Sequence, residues 1–486
     1  MSSTFLKNGP RVETGHEERF YDIDFLKKTR IMEVNQMVTE KLALHITNTS
    51  YEDFSQNAIR ESKRSLLNWL GVAIGAANHE SMDMVLNVSK LTASQPQATV
   101  LGRNEKVDIL FASLLNGMSS HIFDFDDTLL ETVLHPSAPV FPAILAYAEQ
   151  QKKTGKDVLE AFIIGCEVEA RLALSVYPSH YWRGWHITGS VGGIGAAAAI
   201  CKLMGLDVEK TIYALGIAAT DPTGLREMFG TMTKPYHPGK AAMNGLLAAL
   251  VGAQGFTASK QSLEAQRGFL NVLSEENKAE LVTEQWGEKW EVEKNSYKPF
   301  ASGIVTHPAI DAIITIQKEH KLQAEEVESI VITAHPLVKE LTGKTAITTG
   351  LEGKFSVYHC VAAGFFNLKA GVYEFTDEYV NDSSVKNLRD KITLVIDEKI
   401  KEDQVHLTVK LTDGREISLF VEHAIGSADT PMSDEQIKEK FLDVTGEIIC
   451  SAAKNELIDL IDRFEEVEDL TSFFQLCQPK ETANQY

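Results

Sequence analysis

Leu110-Phe-Ala-Ser-Leu-Leu-Asn-Gly-Met-Ser-Ser-His121-Ile-Phe-Asp124-Phe-Asp126-Asp127-Thr128 is the stretch on which the reading of the fold turns. The Asp-x-Asp-x-Thr spacing of Asp124, Asp126 and Thr128 would suit the nucleophile loop of a magnesium-dependent phosphatase, but only behind a buried strand. Leu110–Ser119 instead carries its apolar residues at helical spacing. A helix therefore delivers three carboxylates at its C-terminal end, where acids oppose the helix dipole. Such a conflict between local preference and sequence points to function. Asp126-Asp127-x-x-x-Glu131 also approaches the aspartate-rich magnesium site of helical terpene synthases, but its spacing is one residue off and no partner motif follows.

Outward from this stretch the helical period dominates from about residue 35 to 290, with helices expected at 58–76, 106–125, 137–151, 155–177, 188–205, 207–220 and 239–256. The Gly/Ala-rich run from Gly192 to Ala199 has no strand before it, so it reads as close helix packing and not as a nucleotide loop. From about 325 to 425 β-branched segments alternate: Val327–Ala334, Ile392–Ile396, Val405–Leu411 and Glu416–Val421. The last two flank Thr412-Asp413-Gly414, a hairpin turn. After Pro431, Ser433-x-x-Gln436 has the form of a capping box, and helical patterns run to about 475. The expected class is mainly α with an α+β module. The expected organisation is an N-terminal extension over 1–34, a helical domain over 35–296, an α+β lid over 297–430, and a helical return over 431–486.

With 486 residues the chain is long enough for two cores. Its net charge of −21 disfavours nucleic acid and anionic membrane surfaces as partners. The five cysteines are widely spaced and form no C-x-x-C pair, which fits a reducing compartment. Residues 1–30 lack the character of a secretory or transit signal, the last residues carry no lipidation or peroxisomal signal, and no uninterrupted run of eighteen apolar residues occurs. A cytoplasmic location with no membrane partner is the expectation.

Four of the fourteen histidines stand directly before a proline, where random placement gives about 0.4. His135-Pro136, His237-Pro238 and His307-Pro308 each precede an apolar helical pattern, and His186 stands ahead of another. Proline fits the first helical position, so these junctions set an imidazole beside free N–H groups and the positive end of a helix dipole. That arrangement suits an anionic substrate. Further groups lie close in sequence: Arg226 and Lys234 with Lys240 around His237, Tyr297-Lys298-Pro299-Phe300 before His307, and Trp182-Arg183-Gly184-Trp185 before His186.

Together these segments resemble the MmgE/PrpD family, which contains cis-aconitate decarboxylases, 2-methylcitrate dehydratases and an iminodisuccinate epimerase. The likeness covers nearly the whole chain after residue 40. It rests on Asp124-Phe-Asp-Asp-Thr128 with His135-Pro-Ser, Gly184-Trp-His186, Thr233-Lys234-Pro-x-His237, Tyr297-Lys-Pro-Phe with His307-Pro, and Lys354-Phe-Ser356. The resemblance implies a large all-helical domain with a smaller α+β lid, a homodimer, and no metal or organic cofactor. It nominates Asp124, His135, His186 and Lys234 as catalytic, and Thr128, His237, Lys298, His307 and Arg226 as substrate-binding. Asp-Phe-Asp-Asp-Thr followed by His-Pro-Ser is closer to the decarboxylases than to the dehydratases. Two polar groups of the mammalian decarboxylases lack a counterpart: a histidine is replaced by Gly303, and a lid tyrosine has no match near Lys339.

What the resemblance implies is a lyase acting on a small anionic carboxylic acid, converting cis-aconitate to itaconate and CO2. Dehydration of an alkylcitrate, or epimerisation by proton transfer, is the alternative outcome for the same groups. A magnesium phosphatase and a non-catalytic helical scaffold are the remote readings. In the expected mechanism Lys234 and the helix N-termini near His135, His186 and His237 bind carboxylates, and His135 or His186 donates the proton. Asp124 orients an imidazole, and Thr128 hydrogen-bonds a carboxylate.

Overall fold

Asp108 starts the helix that carries the acidic loop. Its carboxylate accepts hydrogen bonds from the N–H groups of Leu110 and Phe111, both at 3.0 Å, as an N-cap should. The helix runs Ile109–Ile122, shorter than the expected 106–125. At its start Lys106–Val107 pairs antiparallel with Ala98–Thr99, and at its end Asp124 turns into the left-handed region at φ 50°. The computed structural model describes residues 38–427 and 429–479. The expected 1–34 extension and the C-terminal tail lie outside them.

Helix Ile187–Met204 is the axis of the helical part, packed between Ser137–Gln151, Gly155–Val176 and Thr233–Ala253. Its glycines permit this: a Cβ at Gly192 would stand 2.6 Å from Pro139, and one at Gly245 would stand 2.5 Å from the Gly193 carbonyl. By length and composition this helix could cross a membrane, although no unbroken apolar run announced it. It is 89% buried within the protein, so packing accounts for its apolarity. Helix Thr233–Ala253 departs from the expected 239–256, because Pro238 lies inside it and does not open it. Gly239 there meets Gly117 on Ile109–Ile122, and a Cβ at Gly239 would fall 2.3 Å from the Leu114 carbonyl. That close crossing brings Lys234 up to Asp124.

The second part is built on a four-stranded sheet in the order Ile392–Ile396, Val327–Ala334, Val405–Leu411, Glu416–Val421. The first pair is parallel and the others antiparallel. All four strands fall where the alternating pattern placed them, and Gly414 takes φ 91° in the hairpin turn, a conformation glycine adopts without a Cβ penalty. One face, with Ile330, Ile332, Leu407 and Val409, joins a separate apolar cluster with helices His307–His320 and Val357–Asn367. After the sheet, the Ser433/Gln436 capping box opens Asp434–Val444. This helix returns to pack Phe441 on Gly71 in the larger, helical cluster. The architecture is a large helical domain plus a smaller α+β domain. A ladder of two residues on each side, Asp127–Thr128 with Ser296–Tyr297, links the acidic loop to the segment that leads into the second part.

Candidate active site

A buried cavity lies at the end of Ile109–Ile122. Asp124, His135, Tyr181, His186, Lys234, Lys298 and Thr342 supply its polar lining, and Val133, Phe229, Ile304, Val305, Leu341 and Phe355 its apolar wall. Asp124 accepts from Lys298 Nζ at 2.6 Å and from Lys234 Nζ at 3.0 Å. Burial alone would raise the Asp124 carboxyl, but these ammonium groups prevail and hold it well below the usual carboxylate range. The left-handed turn at Asp124 also aims its carbonyl at Lys298 Nζ, 3.1 Å away. Each acid that the helix dipole disfavours is thus answered by a partner. Asp126 takes His121 Nδ1 at 2.6 Å. Asp127 takes Ser137 Oγ and Asn295 Nδ2, both at 2.5 Å.

The imidazoles have fixed orientations. His135 Nδ1 lies 2.8 Å from the Asp127 carbonyl, which can only accept, so Nδ1 carries the hydrogen and Nε2 is left for chemistry. Thr128 Oγ1 lies 3.0 Å from the same Nδ1, and the His135 N–H donates to Thr188 Oγ1 at 3.1 Å. His186 and His237 face each other through their Nδ1 atoms at 3.0 Å. The rings of His121 and His135 are 4.9 Å apart and those of His121 and His186 5.6 Å. One ring nitrogen from each of His121, His135 and His186 lies within 4.8 Å of the others, and Asp124, Asp126 and His135 form a similar group.

Burial sets the charge states. It lowers His135 to about 3 and His237 to about 4, and it holds His186 well below the ordinary histidine value. Asp127, desolvated and without a cationic partner, is raised to about 7. Behind it Glu169 is fully buried, with neither oxygen hydrogen-bonded among the described residues; burial, then Asp127, raise its carboxyl well above the usual range. Lys354 donates to the carbonyls of Phe123 and Ala301 at 2.7 and 2.9 Å, and burial lowers it to about 7 against the pull of Asp124. Lys440 braces the loop by donating to Asn68 and to the carbonyls of Phe125 and Lys298.

Of the sequence-nominated residues, Asp124, His135, His186, Lys234 and Lys298 line the cavity. Thr128 and His237 stand behind it, each bonded to a lining histidine. Arg226 does not line it: the guanidinium lies over Tyr181 and bonds the Tyr181 carbonyl and Glu340. His307 packs on Phe300 and faces a neighbouring cavity. The fourth His-Pro pair, at His335, caps its own helix. Asp124 orients no imidazole, since its partners are lysines; Asp126 takes that role toward His121. Tyr181, Phe229 and Lys440 were not singled out in the sequence, where they occupy ordinary aromatic or helical positions, whereas Phe355 lies within the Lys354-Phe-Ser356 motif. Gly303 lines the cavity where the decarboxylase-type histidine was missing.

Residues 40–282 match the MmgE/PrpD N-terminal domain and residues 300–466 the MmgE/PrpD C-terminal domain. Cis-aconitate decarboxylase from Mus musculus is 28% identical over 460 residues, covering 91% of this chain and 93% of the relative. The Homo sapiens enzyme of the same name is 26% identical, covering 92% and 96%. That of Aspergillus terreus is 25% identical, covering 90% and 95%. With both domains matched across most of its length, this chain belongs to the MmgE/PrpD family.

Proposed function

We propose that this chain is a carboxy-lyase acting on a small di- or tricarboxylic acid, most simply cis-aconitate, which it converts to itaconate and CO2. The observation that carries the reading is one buried cavity lined by two ammonium groups and two imidazoles, in a chain similar along its length to enzymes named cis-aconitate decarboxylase. Breaking the bond between the CH2 carbon and its carboxylate releases CO2 and leaves the electron pair in an allylic system. The double bond shifts, charge gathers on the former CH carbon beside the carboxylate it bears, and one proton delivered there gives itaconate, which keeps two carboxylates. Lys234 and Lys298, fixed before substrate arrives, hold carboxylates and stabilise the dispersed charge. His135, its Nδ1–H committed to the Asp127 carbonyl, donates from Nε2 after the bound polyanion has raised its proton affinity.

The test is proton NMR of purified protein incubated with cis-aconitate in deuterated buffer. Itaconate carrying one deuterium in its saturated CH2 group is expected, with production cut at least about 100-fold in His135→Gln. No CO2 release from cis-aconitate, with water loss or α-deuterium exchange in a related acid, would overturn decarboxylation and assign the same groups to dehydration or epimerisation.

A further inference from the structure

We infer that His121, His135 and His186 form a binding site for a divalent transition-metal ion of the zinc type, which competes with the organic acid and takes no part in the reaction. The inference rests on the imidazole geometry and is independent of which acid is turned over. Protein zinc sites take imidazole nitrogen at about 2.0–2.1 Å, and three suffice when a fourth position stays open. Three imidazoles on one tetrahedral ion through Nε2 place their ring centres about 5 Å apart. Here the centres are separated by 4.9, 5.6 and 6.4 Å. One ring nitrogen of each lies within 4.8 Å of the others, so side-chain shifts of about 1 Å bring all three onto one ion.

The outer partners supply the second argument. A metal-ligating histidine usually gives its other ring N–H to a carboxylate or a backbone carbonyl, which fixes tautomer and direction. His121 Nδ1 is bonded to the Asp126 carboxylate, His135 Nδ1 to the Asp127 carbonyl, and His186 Nδ1 faces His237 Nδ1. With His237 accepting, all three Nε2 atoms are lone-pair donors. His121 Nε2 is fully buried and has no hydrogen-bond partner among the described residues. A buried polar atom without a partner calls for an explanation, and a metal ion supplies one. His135 and His186 line the cavity, so an ion here takes the place of a substrate carboxylate.

Cobalt(II) reports such a site through the visible absorption of its tetrahedral nitrogen complexes. Chelator-treated full-length protein titrated with Co2+ is expected to take up one equivalent with that absorption, and Zn2+ should displace it. His121→Gln should weaken binding at least about 100-fold, and Asp126→Asn, which removes only the outer partner, by about 10- to 100-fold. His335→Gln, distant from the cluster, should leave the titration unchanged. Circular dichroism of each variant confirms folding, and Asp126→Asn carries the test should His121→Gln not fold. Absence of a tight Co2+ site in the wild-type protein, or unchanged binding in both His121→Gln and Asp126→Asn, overturns the inference. Failure of the decarboxylation assay leaves it standing, because this readout needs no turnover.

Discussion

Lys298 Nζ reaches Asp124 Oδ1 at 2.6 Å across 174 positions of sequence, and the contact lies at the meeting of the two apolar clusters. Removing one partner of a buried pair strands the other charge, at a cost of about 3–5 kcal/mol. Lys298→Met leaves Asp124 with Lys234 as its one remaining cation, so it is expected to destabilise by less than that and to lower activity. Asp124→Asn should destabilise strongly and abolish activity, since it leaves Lys234 and Lys298 repelling each other. The double variant should be more stable than the sum of the two losses implies, as urea unfolding of the four proteins will show.

The crossing of Gly117 and Gly239 sets the position of Lys234. In Gly239→Ala the new methyl group would fall 2.3 Å from the Leu114 carbonyl, forcing the helices apart at a cost of about 1–3 kcal/mol. A lowered melting temperature together with a lowered kcat is the expected result. Steady-state kinetics beside thermal unfolding checks both.

Histidines buried in their neutral form make the fold sensitive to acid. His135 and His307 are lowered to about 3, and His237 to about 4, against an ordinary value of 6.5. At these histidines the unfolded chain binds more protons than the folded one between those limits, so their contribution to stability is full above pH 6.5 and falls as pH drops toward 3. Denaturant unfolding at a series of pH values should show that slope. His307→Gln, outside the reaction cavity, should reduce it.

Lys354 gives the opposite window. Its folded value of about 7 lies below the ordinary 10.5, so the penalty for burying its charge is complete below pH 7 and is relieved as pH rises from 7 to 10.5. The stability difference between wild type and Lys354→Met should change across that range in favour of wild type. A flat difference would show that Lys354 keeps its proton.

Arg226 and Lys234 should separate kinetically. Arg226 supports Tyr181 from behind, so Arg226→Met is expected to lower kcat/KM by less than about 10-fold, whereas Lys234→Met, which loses a cation lining the cavity, should lower it by at least about 100-fold. Equal losses would place Arg226 in contact with substrate.

Much of this molecule could be read from its residues. The four sheet strands came from alternation, which burial on one face enforces, and the Ser433/Gln436 cap from local chemistry. The helix at Lys234 was misplaced because Pro238 reads as a starter, while tertiary packing of Gly239 carries the helix through it. Asp124, His135, His186, Lys234 and Lys298, nominated through the family resemblance, line one cavity. Their pairing was not legible: the lysines bond Asp124, and the imidazole partner is Asp126. Nothing local distinguishes the two acids. Only the left-handed turn at Asp124 sends one toward the lysines and leaves the other with His121.

The ladder of Asp127–Thr128 with Ser296–Tyr297 has a temporal consequence. Its strands are too short to form alone, and their union must wait until the helices between them have docked, because closing so long a loop is costly before other contacts repay it. The Asp127 carbonyl that aims His135, and the side chain bonded by Asn295, reach their places with that union. During refolding, helical signal should recover first and enzymatic competence last. The chain is therefore expected to acquire its secondary structure well before its cavity is complete.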